Sequence, residues 1–281
     1  MCYIGLSEKE KSAMKMNTEL FKNPTNEYRG KPFWSINGKL EKDELLYQID
    51  VFRKMGMGGY FFHSRTGLET EYLGKEWFDL INICADKSEK DGMETWLYDE
   101  DRWPSGASGG LVTKDPQYAM RYLRLNIVPS DEFEWCDGII SAFSVKLDGR
   151  TFWDKQRLTP GTTPRNDTVL FFTVELMAPD GYCNNQPYLN TLDIKATEKF
   201  IEITHERYKE HCKERLGRSI KGIFTDEPHR GGVMCNFNIN NIDANNITPY
   251  TEKLFPEIYE RYHIDMEEYL PELFLFKKGE K

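Results

Sequence analysis

Apolar positions along the first hundred residues alternate between two spacings. A short run at residues 32–36 (PFWSI) is closed by Asn37-Gly38, a turn-forming pair. Residues 41–55 carry Leu45, Leu46, Ile49, Phe52 and Met55 at helical spacing, and Gly56 is placed to end that helix. Residues 58–63 (GGYFFH) read as a buried strand. Residues 75–90 put Trp77, Leu80, Ile81, Cys84 and Ala85 on one stripe of a second helix, stopped by Gly92. Residues 93–98 (METWLY) form a third strand. A strand cannot return parallel to its neighbour without a crossover, and helices of this length supply one, so the pattern predicts parallel βαβ units.

The pattern changes over residues 120–190, which hold strand-like runs at 121–128, 139–147 and 168–176, with Asp148-Gly149 as a hairpin turn. This block reads as an antiparallel β insertion, or as a separate small domain. The α/β alternation returns with Asp193 as a helix N-cap and Phe200, Ile201, Thr204, Tyr208, Cys212 and Leu216 at helical spacing over 195–216, ending at Gly217. A fourth strand covers 220–225. Thr248-Pro249 opens another helix that Pro256 interrupts, and Asp265 with Glu268 resembles a capping box before Pro271. The predicted fold class is α/β: a partial or complete TIM-type (β/α) barrel with an antiparallel β insertion. Its segments are an N-terminal extension (1–25), the first part of the barrel (26–118), the β-rich insertion (119–190) and the continuation of the barrel (191–281). Only four parallel strands are visible where a closed barrel needs eight, so the chain is a fragment or closes its sheet in another way.

Charge and composition narrow the function. The net charge is −9 and there is no basic patch, which argues against nucleic acid. No apolar run is long enough for a membrane span or a signal peptide, and none of the six cysteines stands in a C-x-x-C pair. These point to a cytoplasmic protein with free thiols. Aromatic residues make up 14% of the chain, enough for a core with rings to spare for stacking on the C–H faces of sugars. Phosphate-binding glycine loops, nucleophile elbows and zinc-protease motifs are absent.

In parallel α/β folds the chemistry sits where strands end. Four such ends gather polar and aromatic residues: Trp34 to Asn37, His63-Ser64-Arg65, Tyr98-Asp99-Glu100-Asp101-Arg102-Trp103, and Thr225-Asp226-Glu227-Pro228-His229. The fourth is the sharpest, because two carboxylates follow a buried run directly. A carboxylic acid in a partly dry cleft can donate a proton to a leaving oxygen, and glycoside hydrolysis needs two such groups across the bond. Glu227 is the first candidate and Asp226 its support; the bland alternative is that either caps the loop or pairs with Arg230. Asp99, Glu100 and Asp101 would bind sugar hydroxyls, with a solvated acidic turn balanced by Arg102 as the alternative. Trp34 and Trp103 would stack on sugar, while Asn37, His63, Arg65 and His229 complete the candidate binding set. For His63 alone, a structural hydrogen-bonding role is the simpler reading. A metal site built from His63, Asp99, Asp101 and Glu227 has the composition but no supporting spacing, so no cofactor is predicted.

Taken in order, PFWSING, GGYFFHSRTGLETEYLGKEWF, TWLYDEDRWPSGASGG and KFIEITHERYKEHCKERLG followed by IKGIFTDEP resemble the large bacterial α-L-rhamnosidase-like glycoside hydrolases, over roughly residues 26–120 and 188–230. The resemblance implies a (β/α)8 catalytic barrel, a carbohydrate substrate, an acid role for Glu227 of the TDEP motif, and cleft-lining roles for the YDED and HSR segments. It also admits calcium, without a site to map it on. Members of that group are far longer, and their later strands should carry the partner carboxylate. The expected function is therefore hydrolysis of glycosidic bonds, of α-L-rhamnosides among others. The alternative is a truncated, non-catalytic carbohydrate-binding or self-associating barrel fragment. A homodimer in which two copies complete one barrel is a third reading.

Overall fold

The computed structural model describes residues 18–229 and 246–279. In chain order the main elements are β1 (Phe33–Gly38), α1 (Lys42–Lys54), β2 (Gly59–Leu68), α2 (Lys75–Lys90), β3 (Glu94–Tyr98), β4 (Arg121–Pro129), β5 (Ile139–Asp148), β6 (Thr151–Leu158), β7 (Thr168–Leu176), α3 (Ile194–Ile201), α4 (Arg207–Cys212), β8 (Ile220–Phe224), β9 (Ile247–Tyr250), α5 (Leu254–Tyr262), α6 (Leu270–Phe274) and β10 (Phe276–Lys277). Contacts divide them into two compact units, one of residues up to Asp101 with Glu206–Thr225, the other of Arg102–His205 with Asp226 onward. These boundaries differ from the segments drawn on the sequence.

The first unit holds a four-stranded sheet in the order β1-β2-β3-β8, every pair parallel. Among the described residues this is half a barrel, and the complete eight-stranded barrel is not formed. Alternation along the strands gives the sheet two aromatic faces. Trp34, Tyr60 and Phe62 are buried and pack with Phe52 of α1 and Trp77 of α2. Phe33, Phe61, Trp96 and Phe224 pack together on the opposite face, with ring centroids 5.0–5.7 Å apart. Helix α2 keeps the bounds read from its apolar stripe, because Trp77, Leu80, Ile81, Cys84 and Ala85 are all buried.

Where β2 and β3 begin, the backbones touch. A Cβ on Gly59 would lie 2.1 Å from the carbonyl oxygen of Glu94, its register partner. Gly59→Ala is therefore expected to destabilise the protein by about 1–3 kcal/mol, since backbone cannot yield as a side chain can. A urea midpoint equal to that of the parent would show that the strands start elsewhere.

The second unit holds a six-stranded sheet in the order β10-β6-β5-β7-β4-β9. All pairs are antiparallel except β10 with β6. It contains the β insertion, and two differences from the sequence reading stand out. Strand β6 pairs with β5 across Gly149-Arg150; its run TFWDKQRL alternates too weakly to be read as a strand. Strands β9 and β10 come from residues expected to continue the barrel.

Thr248-Pro249 thus does not open a helix. Proline cannot donate a ladder hydrogen bond, which suits it to the sheet edge that β9 forms. Pro256 and Pro271 lie in the first turns of α5 and α6, where the missing N–H has no partner to lose, so neither interrupts a helix. Asp265 caps through the backbone N–H of Glu267, while Glu268 pairs with Arg157 instead of closing a capping box. Phe143, Phe152, Leu170, Phe172 and Phe274 are buried in the core of this sheet.

The helical run after Asp193, which caps through the N–H of Lys195, is broken by a π turn at Glu202–Glu206. Its buried residues, Ala196, Phe200, Thr204, Tyr208 and Cys212, come every fourth position. That spacing drifts around a helix of 3.6 residues per turn, and the wider π turn takes up part of the drift. Among the described cysteines Cys84, Cys136 and Cys212 are free thiols; Cys2, Cys235 and Arg230 lie outside the described residues. Among the described residues no helix is long and apolar enough to cross a membrane.

Candidate functional site

The candidate residues fall into two groups, one in each unit. In the first unit, β3 ends at Tyr98 and runs directly into Asp99, Glu100 and Asp101, which are 0%, 1% and 5% exposed. A solvated acidic turn is thereby overturned. Buried carboxylates are tolerable only where donors replace water. Thr225 Oγ1 donates to Asp99 Oδ2 at 2.6 Å, Ser64 Oγ to Asp101 Oδ1 at 2.7 Å, and the Asp101 N–H to Glu100 Oε1 at 2.8 Å. Ser64 and Thr225 lie next to the sequence candidates and hold them. Among the described residues no three His, Cys, Asp or Glu side chains are gathered to hold a metal ion.

Strand β2 does not stop at His63. After a register shift its pairing with β1 continues to Gly38↔Leu68, so His63 and Ser64 are buried in mid-strand and Arg65 and Asn37 are exposed. The pairing also draws Asn37 and Gly38 into β1, where a turn was expected. Trp34 is 6% exposed, its ring set edge-on against Tyr60 and Phe62 and its Nε1 donating to Gln48 Oε1 at 2.6 Å. It is a core residue rather than a sugar platform, because it lies on the helix-covered face of β1.

The His63 ring lies 3.7 Å from that of Tyr98, and its pKa is lowered from 6.5 to about 4, first by burial and then by the positive charge of Arg65. Between these values the unfolded chain binds a proton that the folded chain does not. Stability from this group is therefore full above pH 6.5, is lost as pH falls toward 4, and is level below that. The loss is expected to be about 3 kcal/mol relative to His63→Phe, measured as the difference between two stability–pH curves. Parallel curves would contradict it.

In the second unit a loop clamp holds the other group. Ser105 N–H donates to the Asp226 carbonyl and the Asp226 N–H to Ser105 Oγ, both at 2.9 Å. Tyr188 Oη donates to the Ser105 carbonyl at 2.5 Å and accepts from the His229 N–H at 3.3 Å. The His229 ring stacks on Tyr188 at 4.5 Å. Between these anchors Glu227 is exposed and held at φ 45°, a left-handed conformation that is costly for a residue with a Cβ. Its Oε2 accepts from Trp103 Nε1 at 3.1 Å. Exposure differs from the partly dry setting expected for an acid, because Glu227 stands three residues beyond the end of β8. Arg102 Nη1 donates to the Gly181 carbonyl at 3.1 Å.

Ser105 and Tyr188 are not among the sequence candidates; they act through contacts 41 or more residues apart, which no local spacing reveals. Two open grooves of this unit, of about 390 and 850 Å³, are lined around Leu254 and Ile258 and around Lys155 and Tyr269, and neither is lined by Trp103, Glu227 or His229.

The fold is mixed α/β with two sheets, one of them a parallel half-barrel. No protein-family model matches the chain, and no curated protein does. Among solved structures, a rhamnosidase from Novosphingobium sp. PP1Y is similar, with a TM-score of 0.54 and 11% sequence identity, over 92% of this chain and 43% of that one. The chain thus spans less than half the length of that rhamnosidase. At this identity the likeness is one of fold.

Proposed function

We propose that this chain is a carbohydrate-acting domain of the glycoside hydrolase type, with α-L-rhamnosides the first substrates to test. Glu227 serves as general acid or base, passing a proton between its carboxyl group and the glycosidic oxygen. Asp226 supports it by tying the loop to Ser105. Trp103 offers a ring to sugar, and His229 lies beside it, 6.2 Å between ring centroids.

The observation that carries this reading is the Glu227 carboxylate, held on a strained backbone and oriented by the indole N–H of Trp103. Strain of this kind persists where surrounding structure over-determines it, and it concentrates at functional sites. The likeness in fold to a rhamnosidase supports the choice of substrate class.

The test is hydrolysis of a panel of 4-nitrophenyl glycosides, α-L-rhamnoside included, by this chain and by Glu227→Gln. Turnover that vanishes in the variant supports the assignment. Activity that falls on dilution would assign it to a pair of copies. No turnover from folded protein overturns the enzymatic reading and favours a non-catalytic carbohydrate-binding fragment, which the four-strand half-barrel would also fit.

A further inference from the structure

Tyr182 is 61% exposed. The backbone that carries it is closely specified. Asp180 Oδ1 accepts the Tyr182 N–H at 2.8 Å, opening a single 3-10 turn at Gly181–Cys183 that Asn184 ends at φ 52°. The Asp180 N–H donates to the Gln186 carbonyl at 3.0 Å, and the Asn185 N–H to the Asp180 carbonyl at 2.9 Å. Cys183 is buried beside Tyr182, and a Cβ on Gly110 would come within 2.5 Å of its carbonyl oxygen, so the turn lies directly on neighbouring backbone. Asn184 Nδ2 donates to the Gly109 carbonyl at 3.0 Å, and Arg102 holds Gly181 from the residue next to Trp103. A rigid frame thus presents an exposed ring.

That ring stands at 90° to the indole of Trp103, with centroids 6.4 Å apart. The same indole donates to Glu227. Two aromatic walls at a right angle and a carboxylate therefore adjoin one another within a single unit. An aromatic wall offers dispersion and a partly negative face to C–H groups, and a carboxylate accepts from hydroxyls. A pyranose ring carries both kinds of group on one body. A preorganised ring loses little entropy on contact, so binding gains most of the interaction.

We propose that Tyr182 is a ligand-contacting residue, forming with Trp103 an aromatic corner beside Glu227 that takes the apolar face of a pyranoside. This rests on the carbohydrate reading given above. Tyr182 sets affinity and takes no part in proton transfer.

The experiment is calorimetric titration of the full chain, carrying Glu227→Gln to prevent turnover, with methyl α-L-rhamnopyranoside, methyl α-D-mannopyranoside and methyl β-D-glucopyranoside. For the tightest binder, Tyr182→Ala is expected to raise Kd about tenfold, and Tyr182→Phe to restore it to within about twofold, since the ring face and not the hydroxyl makes the contact. In the active chain Tyr182→Ala should raise KM with kcat unchanged. Far-UV circular dichroism and the unfolding midpoint should not move, because the ring is exposed. Equal Kd in the parent and Tyr182→Ala overturns the proposal while leaving the role of Glu227 intact. Loss of binding in Tyr182→Phe as well as Tyr182→Ala overturns the stacking role. Absence of binding to every glycoside by the folded chain overturns both this proposal and the carbohydrate reading.

Discussion

Glu227→Gln is expected to lower kcat on the best nitrophenyl glycoside by about 10²- to 10⁴-fold with little change in Kd, the range that a positioned acid or base contributes. Glutamine has the shape of the glutamate and keeps an oxygen for the Trp103 N–H, so the orientation of the side chain survives. What is lost is the proton. Leaving-group dependence sharpens the test. A 2,4-dinitrophenolate departs without protonation, so an acid role predicts that the loss shrinks with that substrate and grows with a methyl glycoside. A loss that is the same for every leaving group would instead point to a role as general base or nucleophile, or in binding. Because Glu227 is exposed, solvent reaches the carboxylate in the free protein, and a bound sugar would supply the drier setting that an acid needs.

Trp77→Ala is expected to cost about 3–5 kcal/mol, the range for removing a large buried aromatic. The indole is fully buried on α2 and packs against Phe62 and Tyr72 at 5.2 and 5.4 Å. It also donates to Tyr208 Oη at 3.2 Å, and that hydroxyl donates in turn to the Tyr98 carbonyl at 3.2 Å. The next residue is Asp99. Removing the indole therefore opens a cavity and loosens the strand end that carries the three buried acids. Near-UV circular dichroism during urea unfolding would follow it, since packed aromatic rings contribute to that signal. A shift worth under about 1 kcal/mol would contradict the packing described for α2.

Helix α2 was legible to the residue because five apolar positions recur on one stripe and a glycine ends it. The parallel strands were legible as apolar runs, but their limits were not. The reach of β2 beyond His63 depends on backbone partners in β1 that no local run announces. The tryptophans show the same limit. Trp34 and Trp103 looked alike on paper, and only pairing and helix cover decided that Trp34 lies in the core while Trp103 faces Glu227. Strand β9 was misread because Thr-Pro opens helices and edge strands equally well, and it is β4 that provides the ladder.

By itself, the sequence determined the α/β alternation, the antiparallel block and the crowding of carboxylates just past strand ends, because periodicity and turn residues act over a few positions. Tertiary structure alone decided which carboxylates are buried on hydroxyls and which is exposed on a strained loop. Those outcomes depend on partners 37 to 126 residues away, as Ser64 is from Asp101 and Thr225 from Asp99, and burial is a property of packed neighbours rather than of local spacing.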